Sequence, residues 1–248
     1  MFAKQEKVQI DYQRILADTS AFIETVEKFH SNNGLGLNVT VPFKIEAYQA
    51  CHQLNDYAQA AKAVNTITFN DQLGWLGANT DGVGLLQDLK INLGFDLQNK
   101  KILILGAGGA SQGILLPLLQ EKPKQLIIAN RTIEKAIALA SEFKSEGRVD
   151  ACSYEGLTTP FDIVINATSA SLSNDMPPLK SGIVNKESLC YDLAYSDTET
   201  PFLTWAHQQN VQSCYDGLGM LIEQAAESYF IWRGFRPSTK EVFKTLRP

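Results

Sequence analysis

KILILGAGGASQG, residues Lys101 to Gly113, decides how this chain is read. Four apolar residues lead into a glycine cluster that opens a second apolar run, which predicts a strand, a tight turn and a helix. Gly106, Gly108 and the small Ser111 occupy the three positions of a G-x-G-x-x-G/A turn. These positions serve the tight bend, the close approach of a pyrophosphate to the backbone, and close helix-strand packing. A helix starting there turns unpaired N–H groups and the positive end of its dipole toward phosphate.

The residues after the turn name the nucleotide. An NAD site expects an acidic residue about 20 positions on, at the end of the second strand, to bond the ribose 2'-hydroxyl. Here QLIIAN runs into Asn130, Arg131 and Thr132, with Lys135 one turn into the next helical pattern. A carboxylate would repel a 2'-phosphate, whereas arginine offers it a planar fork. The expected cofactor is therefore NADP. The alternation continues with TIEKAIALASEF as a helix and FDIVINAT, SLCYDLAY and VQSCYD as strands. Repeated β-α-β order implies a parallel sheet with right-handed crossovers. Pro117 falls inside the first helix, where a kink is expected.

Upstream, VQIDYQRILA and LGLNVTV read as strands, and SAFIETVEKFH, KIEAYQACHQL and YAQAAKAV as helices. NTITFNDQLGWLGAN reads as a hairpin turning at Asn70-Asp71. Apolar residues recur at helical spacing from Thr80 to Gly94, and DGLGMLIEQAAESYFIWRG opens a long helix after Gly217 and Gly219. The fold class is α/β with two domains: an N-terminal α/β substrate domain and a Rossmann-type NADP-binding domain, with a cleft between them. If the last helix returns to the first domain, the division is 1–80 plus 217–248 against an inserted 81–216.

Composition narrows the function classes. The chain has 248 residues, 44% hydrophobic and 20% charged, with a net charge of -5 and no dense Lys/Arg cluster. That balance argues against a nucleic-acid partner, whose phosphates need neutralising. Cys51, Cys152, Cys190 and Cys214 show no C-x-x-C spacing, and His30, His52 and His207 form no ligand pairs with them, so no metal is expected. The thiols read as reduced, in a cytoplasmic protein. No apolar run approaches the ~20 residues of a membrane span, and the first residues are too polar for a secretory signal. The partners expected are small molecules. Oligomeric state stays open, with a homodimer among the alternatives.

Asn38, Thr40 and Lys44 follow a strand in NVTVPFK, and Asp81 ends one in GANTDG. Lys44 has a bland reading as a solvated helix residue, and Asp81 as a helix cap. Next to a nicotinamide they gain another: interconverting C–OH and C=O by hydride transfer requires a group that gives or takes a proton, and a carboxylate can orient a lysine for that task.

NVTVPFK (38–44), AVNT (63–66), GANTDG (77–82), GAGGAS (106–111), NRT (130–132) and DGLGMLIEQA (216–225), in this order and at these intervals, closely resemble the shikimate dehydrogenase family. The resemblance implies reversible NADPH-dependent reduction of 3-dehydroshikimate to shikimate, a step of chorismate and aromatic amino-acid biosynthesis. It implies Lys44 as the proton-transfer residue with Asp81 as its partner, and Thr40, Asn65, Asp81, Gln224 and Tyr195 as substrate-binding positions. Gly106, Ala107, Gly108, Gly109 and Ala110 match the pyrophosphate turn, while Asn130, Arg131, Thr132 and Lys135 match the 2'-phosphate clamp. Leu193 and Gly217 are placed near the nicotinamide, and Asp56 is a further cofactor-site candidate.

The chain departs from the family pattern in two respects. The family begins with a strand and a Ser-x-Ser pair that binds the substrate carboxylate, and this sequence shows neither. Ser169, Ser171 and Ser173 share that spacing but follow FDIVINAT and are not equated with it. Lys62 stands where the family usually has glycine before A-V-N-T. The alternatives are a quinate/shikimate dehydrogenase using NAD, which Arg131 disfavours, and a truncated NADP-binding protein with impaired catalysis.

Overall fold

The computed structural model describes residues 1–170 and 175–247, so Ser171 and Ser173 lie outside the described residues. The chain divides into two compact units, Met1–Leu85 with Leu221–Pro248, and Leu86–Met220.

The first unit is built on a four-stranded sheet of order β1-β3-β4-β2. Its strands are β1 (Gly36–Asn38), β2 (Gln53–Leu54), β3 (Thr66–Asn70) and β4 (Gly74–Ala78). β3 and β4 form the expected hairpin, with Ile67 opposite Gly77. Its turn is closed by the Asn70 side chain, whose Oδ1 accepts from the amides of Gln72 at 2.9 Å and Leu73 at 2.8 Å. Helices α2 (Phe22–Ser31), α3 (Lys44–Ala50) and α4 (Asp56–Ala61) follow the short α1 (Phe2–Glu6). Phe22 and Val26, one turn apart on α2, join Val39, Ala47, Ala58, Val64 and Ile67 in the core. The Phe22 ring stacks on Phe43 at 4.9 Å between centroids.

Two local expectations fail in this unit. VQIDYQRILA forms no strand: residues 8–18 carry no regular structure and are mostly exposed. Its alternating pattern suits a strand, but a strand persists only when a neighbour takes its backbone groups, and among the described residues β1 pairs with β3 alone. KIEAYQACHQL is helical only to Ala50, because His52 N donates to Trp75 O at 2.8 Å and draws the chain alongside β4.

The second unit holds a six-stranded sheet, all parallel, of order β10-β9-β8-β5-β6-β7. The strands are β5 (Lys101–Leu105), β6 (Gln125–Ala129), β7 (Val149–Cys152), β8 (Ile163–Asn166), β9 (Leu189–Asp192) and β10 (Ser213–Tyr215). Reading outward from β5, the chain winds one way through β6 and β7 and the other way through β8, β9 and β10. The reversal between β5 and β8 leaves a crevice at their carboxyl ends, the place where such sheets bind ligands.

Crossovers α6 (Gly109–Gln120), α7 (Ile133–Glu142) and α8 (Pro201–Gln208) join successive strands. α6 continues through Pro117 to Gln120, and the full burial of Ile114, Leu115 and Leu118 offsets the lost backbone bond. Strand β7 and helix α8 went unread in the sequence. β7 is a four-residue strand with one buried position, and α8 is set by Thr200, whose hydroxyl accepts from Leu203 N, with Pro201 at its first position.

Helix α5 (Asp81–Gln87) runs into a π-helical turn, Asp88–Asn92, so the helical spacing from Thr80 is real but changes pitch at Asp88. Helices α9 (Leu218–Arg233) and α10 (Lys240–Leu246) complete the chain. Among the described residues, no helix is long and apolar enough to cross a membrane.

Lys62 ends α4 in the left-handed region, φ 49° and ψ 35°. That conformation costs an L-residue roughly 1–2 kcal/mol and glycine almost nothing. Lys62→Gly is therefore expected to stabilise the protein by about 1 kcal/mol, raising the urea midpoint. An unchanged or lowered midpoint would mean that the lysine side chain offsets the backbone strain.

Candidate active site

Lys44 and Asp81 each open a helix, α3 and α5, and the first unit brings them together. Lys44 Nζ donates to Asp81 Oδ2 at 2.7 Å, with side chains 28% and 17% exposed. The other carboxylate oxygen, Oδ1, accepts from Asn65 Nδ2 at 2.8 Å. Asp81 thus holds the ammonium on one oxygen and a buried amide on the other, rather than capping its own helix.

Asn65, 3% exposed, is the hub. Its Oδ1 accepts from Thr80 N at 3.0 Å and Thr66 Oγ1 at 2.9 Å, and its Nδ2 also donates to Thr80 Oγ1 at 3.0 Å. Thr80 Oγ1 lies 3.2 Å from Gln224 Oε1 on α9. Thr40 sits exposed between β1 and α3, its carbonyl accepting from Phe43 N at 3.0 Å.

Three members of this network escaped the sequence reading as site residues, Thr66, Thr80 and Ser228, and a fourth, Asn38, is the last residue of β1 rather than following it. Asn38 Nδ2 donates to Ser228 Oγ at 3.0 Å, and Ser228 Oγ lies 2.8 Å from Thr66 Oγ1. Ser228 carried a usable signal, since it follows Gln224 by four residues on one helix and so shares its face. Tyr12, from the irregular segment, donates to Asn38 Oδ1 at 2.8 Å.

In the second unit the glycine turn lies between β5 and α6. Gly106 has φ +102°, and a Cβ there would sit 3.1 Å from the carbonyl oxygen of Ala167 at the end of β8. Ser111 Oγ donates back to Gly106 O at 2.8 Å, so the third motif position ties helix to strand. A Cβ at Gly108 or Gly109 would meet nothing within 4 Å. Both glycines, with Ala110, are exposed at the start of α6, leaving main-chain donors open to an anion.

Asn130 follows β6 and bonds Thr132 O through Nδ2 at 2.8 Å, shaping the bend from which Arg131, Thr132 and Lys135 stand exposed. Open glycines at a helix start with two cations beyond the neighbouring strand fit a pyrophosphate and a further phosphate. Ala107, half-buried, completes the turn.

Leu193 and Gly217 meet through their main chains. Gly217 N donates to Ala194 O at 3.0 Å, and a Cβ at Gly217 would overlap the Leu193 carbonyl. Tyr195, two residues beyond Leu193, is 53% exposed. Asp56 is the exposed first residue of α4 and belongs to the first unit, whereas the glycine turn and the basic residues after β6 belong to the second.

The strand order and the turn at its switch point place the second unit among Rossmann-type nucleotide-binding folds. Family models agree along the chain: one described as shikimate dehydrogenase substrate binding domain matches residues 1–67. One described as shikimate / quinate 5-dehydrogenase matches 88–187, and one described as shikimate 5'-dehydrogenase C-terminal domain matches 217–247. A shikimate dehydrogenase (NADP(+)) of Nitrosomonas eutropha is 49% identical over 99% of this chain and 89% of its own length. Its counterpart in Dechloromonas aromatica is 51% identical over 99% and 90%.

Among solved structures, an Ael1 enzyme from Pseudomonas putida superposes with a TM-score of 0.94 at 44% identity, over 99% of this chain and 90% of that one. Shikimate 5-dehydrogenase from Thermus thermophilus, in complex with NADP(H) and shikimate, gives 0.87 at 27% over the same shares. The chain belongs to the shikimate dehydrogenase family.

Removing the Asn65 amide would strand the Thr80 amide and release Asp81 Oδ1. Asn65→Ala is expected to cost about 1–3 kcal/mol, the penalty for buried polar groups left unpaired, read from the chemical-denaturation midpoint. A loss under about 0.5 kcal/mol would show that water replaces the amide without penalty.

Proposed function

We propose that this chain is an NADP-dependent oxidoreductase that reversibly reduces 3-dehydroshikimate to shikimate in aromatic amino-acid biosynthesis. The Lys44–Asp81 ion pair, locked by Asn65, carries the reading. Bound NADPH would supply a hydride to the carbonyl carbon. Lys44 gives its Nζ proton to the carbonyl oxygen as the C–O bond becomes single, and takes a hydroxyl proton in the reverse direction. Asp81 keeps the ammonium in place and leaves a carboxylate edge for a substrate hydroxyl. Thr40, Asn65 and Gln224 provide both donors and acceptors, which suits a ring bearing several hydroxyls. Tyr195 offers a phenol for the substrate carboxylate.

The first unit takes the substrate role and the second the nucleotide role. Gly106 to Ala110 receive the pyrophosphate on main-chain amides. Asn130, Arg131, Thr132 and Lys135 take the 2'-phosphate, with Leu193 and Gly217 toward the nicotinamide. The absence of a carboxylate directly after β6 and the presence of Arg131 favour NADP over NAD.

Lys44→Ala is expected to lower kcat about 100-fold to 10,000-fold, the usual worth of acid-base assistance, with NADPH affinity unchanged. Steady-state kinetics decide, and near-normal turnover would remove Lys44 from the chemistry. Arg131→Ala is expected to weaken NADPH about 10-fold or more while NADH is almost unaffected, because only the former carries the phosphate. Equal losses in fluorescence titrations of the two nucleotides would mean that Arg131 does not read the 2'-phosphate.

A further inference from the structure

A buried carboxylate outside the Lys44 network stands at the head of the π turn. Asp88 is 3% exposed, and its Oδ2 accepts from the hydroxyl of Tyr191, which is fully buried on β9, at 2.7 Å. Asp88 Oδ1 accepts from Asn92 Nδ2 at 2.9 Å. With its proton committed to Asp88, the Tyr191 oxygen is left as an acceptor, and it receives Met220 N at 3.1 Å. Met220 is the third residue of α9, so this amide is one of the donors that a helix start leaves without an internal partner. Asp216 Oδ1 takes the Leu218 amide at 3.2 Å. Gly219 lies so close to the Asp88 carboxylate that any Cβ would overlap it. The acid therefore rests against the first turn of a helix, where the dipole favours negative charge.

The next residue on β9 faces the other way. Asp192, fully buried, accepts from Thr200 Oγ1 at 2.7 Å, Ala194 N at 3.1 Å and Asn166 Nδ2 at 3.2 Å. Tyr191 thus holds the first turn of α9, and Asp192 holds the segment after β9. Their meeting point is the main-chain contact of Gly217 with Leu193 and Ala194. Two consecutive side chains on one strand fix both sides of that contact.

We infer that Asp88 and Tyr191 are positioning residues for hydride transfer, setting residues 217–220 against 193–194 so that this backbone surface receives the nicotinamide ring at a fixed depth. The inference rests on the NADP reading of the second unit. A phenylalanine at 191 would fill the space but offer Met220 N nothing, so the helix entry would shift or fray by the fraction of an ångström that hydride transfer does not tolerate.

The test compares Tyr191→Phe, Asp88→Asn and the double variant with wild type in four measurements: affinity for NADPH, affinity for adenosine 2',5'-bisphosphate, turnover with 3-dehydroshikimate, and the isotope effect with NADPH deuterated at the transferred position. The bisphosphate carries the 2'-phosphate but no nicotinamide. Tyr191→Phe is expected to weaken NADPH about 10-fold, leave the bisphosphate within about 2-fold, lower kcat about 10-fold to 100-fold and enlarge the isotope effect. If the two residues act through one bond, the double variant stays within about 2-fold of Tyr191→Phe.

A role confined to stability would lower the melting temperature and leave the ratio of the two affinities unchanged, and that result overturns the inference. Should Tyr191→Phe yield no soluble protein, Asp88→Asn carries the same ratio. Wild type that binds NADPH but reduces no 3-dehydroshikimate would sink the substrate assignment alone, since the affinity ratio is read without substrate. Wild type that binds no NADPH would sink both.

Discussion

The first unit depends on a single buried amide. Asn65 sits beyond α4 and before β3, where its two polar atoms face the chain leading into α5. An amide carries a donor and an acceptor on one rigid plane without bringing a charge, and here both are used. One side receives the Thr80 backbone and the other grips Asp81, so the direction of α5 and the placement of its first carboxylate are set together. An aspartate at 65 would put two carboxylates side by side, and a leucine would leave the Thr80 amide unpaired. Lys44 then finds a carboxylate already fixed, and loses less rotamer freedom than it would opposite a mobile one.

The second unit uses glycine differently at its two ends. At Gly106 the backbone turns at positive φ beside the Ala167 carbonyl, which brings the ends of β5 and β8 close at the sheet's reversal. At Gly217 and Gly219 the need is clearance, from the Leu193 carbonyl and the Asp88 carboxylate. Gly108 and Gly109 meet neither constraint, and the space before them is what a phosphate needs. Identical residues thus serve bending, close approach and ligand access, and only their surroundings tell these apart.

Local chemistry made much of this protein legible from the chain alone: the parallel sheet, the glycine turn and the basic residues after β6. Each is a pattern of periodicity or spacing, and strand-turn-helix order leaves few ways to arrange a parallel sheet. Tertiary structure decided the rest. Whether VQIDYQRILA becomes a strand depends on a neighbouring ladder, which no property of those ten residues supplies. Asn38, Thr66, Thr80 and Ser228 are ordinary polar residues scattered over 190 positions, and they become one network only when α9 lies across β1 and β3. Asp88 and Tyr191 are 103 residues apart, and their sequence surroundings suit an exposed helix acid and a buried strand aromatic equally well. Near neighbours settle their own arrangement through φ preference, periodicity and hydrogen-bonding type, all of which are written in the chain. The pairing of distant polar groups is decided by burial, because only inside the folded core does leaving one of them unbonded carry a penalty large enough to select its partner.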